Sequence, residues 1–120
     1  MSNRLPVGPY RILDLGDGTH APWYIIPFDK RGHCEGPRTR DHLIAEVSKP
    51  DAADASKFHY TDVYIFSHGW NNDWEVASNR YDDFITSYRE MQRHHGLRLE
   101  RPYRPLLLGV FWPSTALVLP

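Results

Sequence analysis

Cysteine is almost absent from this 120-residue chain, where Cys34 stands alone. An intramolecular disulfide is thereby excluded, and burial and hydrogen bonding have to hold the fold. Net charge is equally scarce: 14 lysines and arginines meet 15 aspartates and glutamates. No field of one sign exists to draw in nucleic acid or an anionic membrane, so neither is expected as a partner. No apolar run reaches the length that spans a bilayer, and the start Met1-Ser2-Asn3-Arg4-Leu5-Pro6 has no apolar signal-peptide core. A cytoplasmic protein is the expectation. Repeats and low-complexity tracts are missing too.

What is present suits a folded domain. The apolar share is 41%, the aromatic share 13%, and there are four tryptophans, a composition that argues against disorder. Yet 120 residues leave little room for a sheet covered by helices on both faces. The end, Leu117-Val118-Leu119-Pro120, is apolar without a polar tail. Residues 1–120 therefore read as a single incomplete α/β domain, truncated on the carboxyl side.

Hydrophobic periodicity orders the elements. Residues 10–15 and 23–28 are runs rich in Ile, Tyr and Trp around Gly16-Asp17-Gly18-Thr19-His20, which predicts a hairpin with glycines at positive φ. Residues 38–47 place Leu43, Ile44 and Val47 one helical turn apart, with Thr39 or Asp41 as a cap. Residues 48–56 carry Pro50 and no periodicity, so they form a surface connection. Val63-Tyr64-Ile65-Phe66 is too short for a helix and too continuous for a half-exposed strand, which predicts a buried parallel strand. A long helix follows, with Trp74, Ala77, Tyr81, Phe84, Ile85, Tyr88 and Met91 recurring at steps of three and four. Asn72 or Asp73 caps its start, Glu75 lies in its first turn, His94 and His95 lie in its last, and Gly96 stops it. Residues 106–112 make a second buried strand ended by Pro113. Strand, helix, strand forms a βαβ unit, for which a right-handed crossover is expected.

The chemistry-bearing segment is Val63-Tyr64-Ile65-Phe66-Ser67-His68-Gly69-Trp70, leading through Asn71-Asn72-Asp73-Trp74 into the helix, with Phe111-Trp112-Pro113-Ser114 closing the next strand. These residues resemble the α/β-hydrolase superfamily of serine hydrolases and esterases. The resemblance covers residues 10–120 and implies the amino-terminal half of that sheet: the hairpin plus one βαβ unit, helices flanking mostly parallel strands. It implies an ester or amide hydrolase acting on a small-molecule substrate, with no cofactor. In that family backbone N–H groups after the third strand help bind the oxyanion of an acyl-transfer intermediate. The corresponding donor here is the backbone N–H of Trp70. Gly69 lets the chain turn and approach substrate where a Cβ would obstruct it. His68 is then part of the turn's architecture, not a catalytic base.

The family also needs a serine in a G-x-S-x-G elbow, followed by an acid and a histidine. Ser67, Ser78, Ser87 and Ser114 all lack the flanking glycines, so nucleophile, acid and base are not present in this chain. It is expected to be inactive alone while its parent protein is a serine hydrolase. A degenerate, non-catalytic binding module of the same fold is the alternative. His68-Gly69-Trp70 also has a purely structural account as a tight turn with a packed tryptophan. Asp73 is explained by capping, His94-His95 by the helix dipole, and the other tryptophans by core filling. His33, Cys34 and His42 lack the tight grouping of a zinc site, so no metal is expected. A small nucleotide-binding domain is excluded because no G-x-G-x-x-G loop follows the strand.

Overall fold

Gly16 and Gly18 have φ of +89° and +74°, a region that side chains with a Cβ avoid, and between them the chain reverses from β1 (Arg11–Gly16) into β2 (Thr19–Pro27). The computed structural model describes residues 5–16, 18–68, 74–95 and 102–113, with 74 and 93–95 described by backbone alone. After the hairpin come α1 (Pro37–Val47), β3 (Asp62–Ser67), α2 (Trp74–His95) and β4 (Pro105–Phe111). The four strands form one mixed sheet in the order β1-β2-β4-β3. β1 runs antiparallel to β2, while β2 and β3 both run parallel to β4.

This order dictates where the helices lie. From β2 to β3 the chain passes over the place that β4 will fill, and from β3 to β4 it returns in the opposite direction. Right-handed crossovers made in opposite directions put their helices on opposite faces. Alternation along β2 records the result. Trp23 and Ile25 join Ala77, Tyr81 and Ile85 of α2 in one core, together with Leu107 and Phe111. Tyr24 and Ile26 join Leu43 of α1 and Leu106 in the other. β2 is consequently buried on both sides from Ala21 to Pro27. Each large apolar side chain buried this way contributes about 1.5–3 kcal/mol. The fold is thus an α/β arrangement, a four-stranded mixed sheet with a helix on each face.

Two expectations need correction. Neither Thr39 nor Asp41 caps α1: the N-cap is Gly36 without a side-chain cap bond, and Pro37 opens the helix. Proline suits that position because its missing N–H has no partner to lose. Gly36 is small because a Cβ there would come within 3.0 Å of Pro27 Cδ. Thr39 instead ties down the entering chain, accepting the Gly8 N–H and donating to the Pro6 carbonyl. The caps proposed at Asn72 or Asp73, and the stop at Gly96, lie outside the described residues.

β3 is parallel as expected but is not buried on both faces. Tyr64 and Phe66 point to α2, with Phe66 edge-on to Tyr81 at 5.0 Å and Tyr64 5.7 Å from Tyr88. On the other face Val63 is 47% and Ile65 is 68% exposed. The cause is position: among the described residues β3 pairs only with β4, and α1 packs over β2 rather than over β3. An edge strand usually carries a lysine, a proline or a bulge against pairing with another chain. β3 reads Asp-Val-Tyr-Ile-Phe-Ser and has none of the three. Ile65→Lys should therefore suppress self-association of the purified chain in light scattering while changing stability by no more than about 0.5 kcal/mol. Aggregation that persists unchanged in Ile65→Lys would place the sticky surface elsewhere.

Candidate functional site

The parallel strands end together. Ser67 of β3 and Ile26 of β2 both pair with Val110 of β4, so the segments leaving β2, β3 and β4 share one end of the sheet. The chain leaves β2 for the α1 face and β3 for the α2 face. Where loops part in this manner, the carboxyl ends of the strands form a crevice, and open α/β sheets bind ligands there. His68 is the last described residue before α2 and lies at that end of the sheet.

His68 is only 6% exposed and is held from several sides. Its backbone N–H donates to the Tyr81 hydroxyl at 2.7 Å, and that hydroxyl in turn donates to the Val110 carbonyl. Its ring stacks on Trp112 with centroids 5.0 Å apart and planes 17° from parallel. The Trp112 backbone N–H donates to Nε2 at 3.1 Å. An amide N–H can only donate, so Nε2 presents a lone pair and a proton on the neutral ring belongs to Nδ1. The Trp112 indole N–H donates to the Ser67 hydroxyl at 2.8 Å, and that hydroxyl donates to the His68 carbonyl at 3.1 Å. One phenol and one tryptophan therefore clamp the ends of β3 and β4 to each other.

Chemically, this arrangement holds a backbone still. The Nε2 lone pair is engaged by Trp112, so it is not offered to a substrate hydroxyl, and the Ser67 proton is directed at a carbonyl. Burial pushes the Tyr81 phenol up to about 12, an effect partly offset by the His68 N–H it accepts; the phenol stays protonated and keeps donating to Val110. Gly69 and Trp70, the expected turn and oxyanion donor, lie outside the described residues, as do Asp73 and Ser114. Of the sequence-derived site residues, His68 alone is described.

Tyr81 and Trp112 were not expected as site residues. Tyr81 fits the apolar stripe of α2, and only its hydroxyl signals more, because a buried tyrosine O–H needs a partner. His33, Cys34 and His42 do not converge: His33 approaches Asp29 and His42 bonds Tyr24. Among the described residues no three His, Cys, Asp or Glu side chains gather as a metal site, and no helix is long and apolar enough to cross a membrane. No protein-family model, curated protein or solved structure matches the chain.

Tyr81→Phe removes one hydroxyl and with it the bonds to the His68 N–H and the Val110 carbonyl. Stability to urea should fall by about 1–3 kcal/mol, two buried hydrogen bonds at about 0.5–1.5 kcal/mol each. Alkaline titration gives a second readout. The phenols of Tyr81 and Tyr88 are raised from 10.0 to about 12, so the unfolded chain loses these protons first. Their contribution is whole below pH 10 and is lost as pH rises through 12. Tyr81→Phe should flatten that alkaline loss, whereas an unchanged profile would mean that the phenol is not protected.

Proposed function

We propose that this chain is the amino-terminal part of an ester or amide hydrolase of the α/β-hydrolase type, in which the turn after β3 supplies an oxyanion donor. The observation that carries this reading is the clamp on His68. A preorganised donor needs a backbone that does not yield as charge develops in the transition state. The His68 N–H and ring are both bound at the carboxyl end of the sheet, and the residues that follow directly are Gly69 and Trp70. In this reading His68 fixes the start of the turn, Gly69 admits the substrate carbonyl, and the Trp70 N–H faces the oxyanion. The strand order and the resemblance of the His-Gly-Trp turn support it further. Nucleophile, acid and base then come from residues outside this chain, since no serine here sits in a G-x-S-x-G elbow. The substrate is a small ester or amide, and no cofactor takes part.

Two measurements test the proposal. The 120-residue chain should not hydrolyse activated esters above the buffer rate, because a donor without a nucleophile stabilises an intermediate that never forms. Turnover abolished by Ser114→Ala would overturn this and promote that serine. In a longer protein containing the chain, Trp70→Pro deletes the N–H and should lower kcat on the order of a hundred- to a thousandfold. Trp70→Ala keeps the N–H and should mainly alter substrate fit. Proline also restricts Gly69, so circular dichroism and melting of both variants are the control. Equal kcat in two folded variants would remove the oxyanion assignment.

A further inference from the structure

At the opposite end of the sheet, where β2 begins and the chain enters β3, the α1 face carries a groove of about 370 Å³ that the proposed hydrolase chemistry does not use. Its walls include Ile12, Pro22, Tyr24, His42, Glu46 and Tyr60. Two hydrogen-bonded pairs line it. The Tyr24 hydroxyl lies 2.7 Å from His42 Nδ1, and the Tyr60 hydroxyl donates to Glu46 Oε2. Ile12 remains 64% exposed beside them, although it belongs to a strand whose neighbours Leu13 and Leu15 are buried.

We infer that this groove binds a small organic ammonium ion carried on an aromatic or aliphatic body, with Glu46 as its counter-ion. The first reason is charge. Both phenols are raised above their ordinary range, Tyr24 by burial and then by the nearby Glu46 charge, Tyr60 by burial and then by its bond to Glu46. Neither ionises near neutrality, so the negative charge at the groove is the carboxylate's. A carboxylate that already takes one phenol proton retains further lone pairs, and an ammonium fills them with charge-assisted bonds.

The second reason is that the chain's own ammonium marks the geometry. Lys49 Nζ lies 3.9 Å from Glu46 Oε2 and 5.9 Å from the centre of the Tyr60 ring. This corner thus attracts a cation by both carboxylate and ring. Lys49 holds it weakly: its side chain is 47% exposed, and an exposed pair of this kind contributes little. A ligand ammonium attached to an apolar body has an additional gain that Lys49 lacks, because the body covers Ile12 and Pro22. An anion meets Glu46 as a like charge, and a neutral alcohol forgoes the ion pair. The groove is thus built for a cation in preference to either.

The probe is 2-phenylethylamine, titrated into the full chain and followed by the backbone and aromatic NMR signals of Tyr24, His42 and Tyr60, with 2-phenylethanol and phenylacetate in parallel. The amine should give saturable shifts at these residues and bind at least tenfold more tightly than the alcohol, with phenylacetate weaker again. Glu46→Gln keeps an acceptor for Tyr60 but removes the charge, and it should weaken the amine at least tenfold. Lys49→Ala, at an exposed position that leaves the fold untouched, should tighten it severalfold by removing the internal competitor. The proposal is overturned if amine and alcohol bind equally, if no saturable shift occurs up to the solubility limit, or if Lys49→Ala leaves the amine affinity unchanged.

Discussion

The Tyr81 hydroxyl accepts the His68 N–H and donates to the Val110 carbonyl, joining the ends of two parallel strands through a residue of α2. This is possible only because the Tyr81 ring crosses β4 above Gly109, where an added Cβ would lie 3.0 Å from Tyr81 Cε2 and 3.2 Å from Phe66 Cε2. The missing side chain at one strand position lets α2 sit close enough for its phenol to reach past the sheet surface. From that contact the rest follows. α2 is held at a fixed depth, Phe66 packs edge-on against Tyr81, and the end of β3 becomes a fixed point.

The two ends of the sheet are held by different chemistry. At the carboxyl end the clamp is made of a phenol, an imidazole and an indole. At the amino end Arg104 does the joining: its guanidinium bonds the Asp51 carboxylate at 3.1 Å and the His59 carbonyl at 2.7 Å, and its N–H bonds the Thr61 hydroxyl at 2.9 Å. With both charges largely covered, the pair fixes the long connection between α1 and β3 rather than adding much stability. The Tyr64, Tyr103 and Tyr88 hydroxyls form a chain close by, at 2.9 and 2.7 Å. A register fixed at both ends keeps β3 in place even though one of its faces is open.

Elements with a strong period were legible in the sequence. The hairpin, both helices and the βαβ order lie where alternation and three- or four-residue spacing put them, because burial on one face imposes those spacings. Residues 63–66 were misread as doubly buried. Composition records how apolar a strand is, but not whether another strand or helix covers it, so an edge strand with Val63 and Ile65 outside looks like a central one. β2 shows the converse: it starts at Thr19 rather than residue 23, since Pro22 stands one residue ahead of the parallel register that begins at Trp23 and interrupts nothing there. At the candidate site the end of β3 was legible and the support of His68 was not. Tyr81 lies 13 residues and Trp112 44 residues from His68, and no local pattern links them. The Glu46 and Tyr24 groove was hidden for the same reason, its walls being drawn from β1, β2, α1 and the approach to β3.

The proposed role of His68 as architecture rather than as a base rests on the bond from the Trp112 N–H to Nε2. Long-range proton–nitrogen correlation of the His68 ring reads this directly, because the two nitrogens have distinct shifts when bare and when protonated. The expected result, slightly above neutral pH, is a bare Nε2 and a proton on Nδ1, with Trp112→Pro, which deletes the donating amide, loosening that preference. A ring found protonated on Nε2 would contradict the clamp and return His68 to the set of groups able to exchange protons with a substrate.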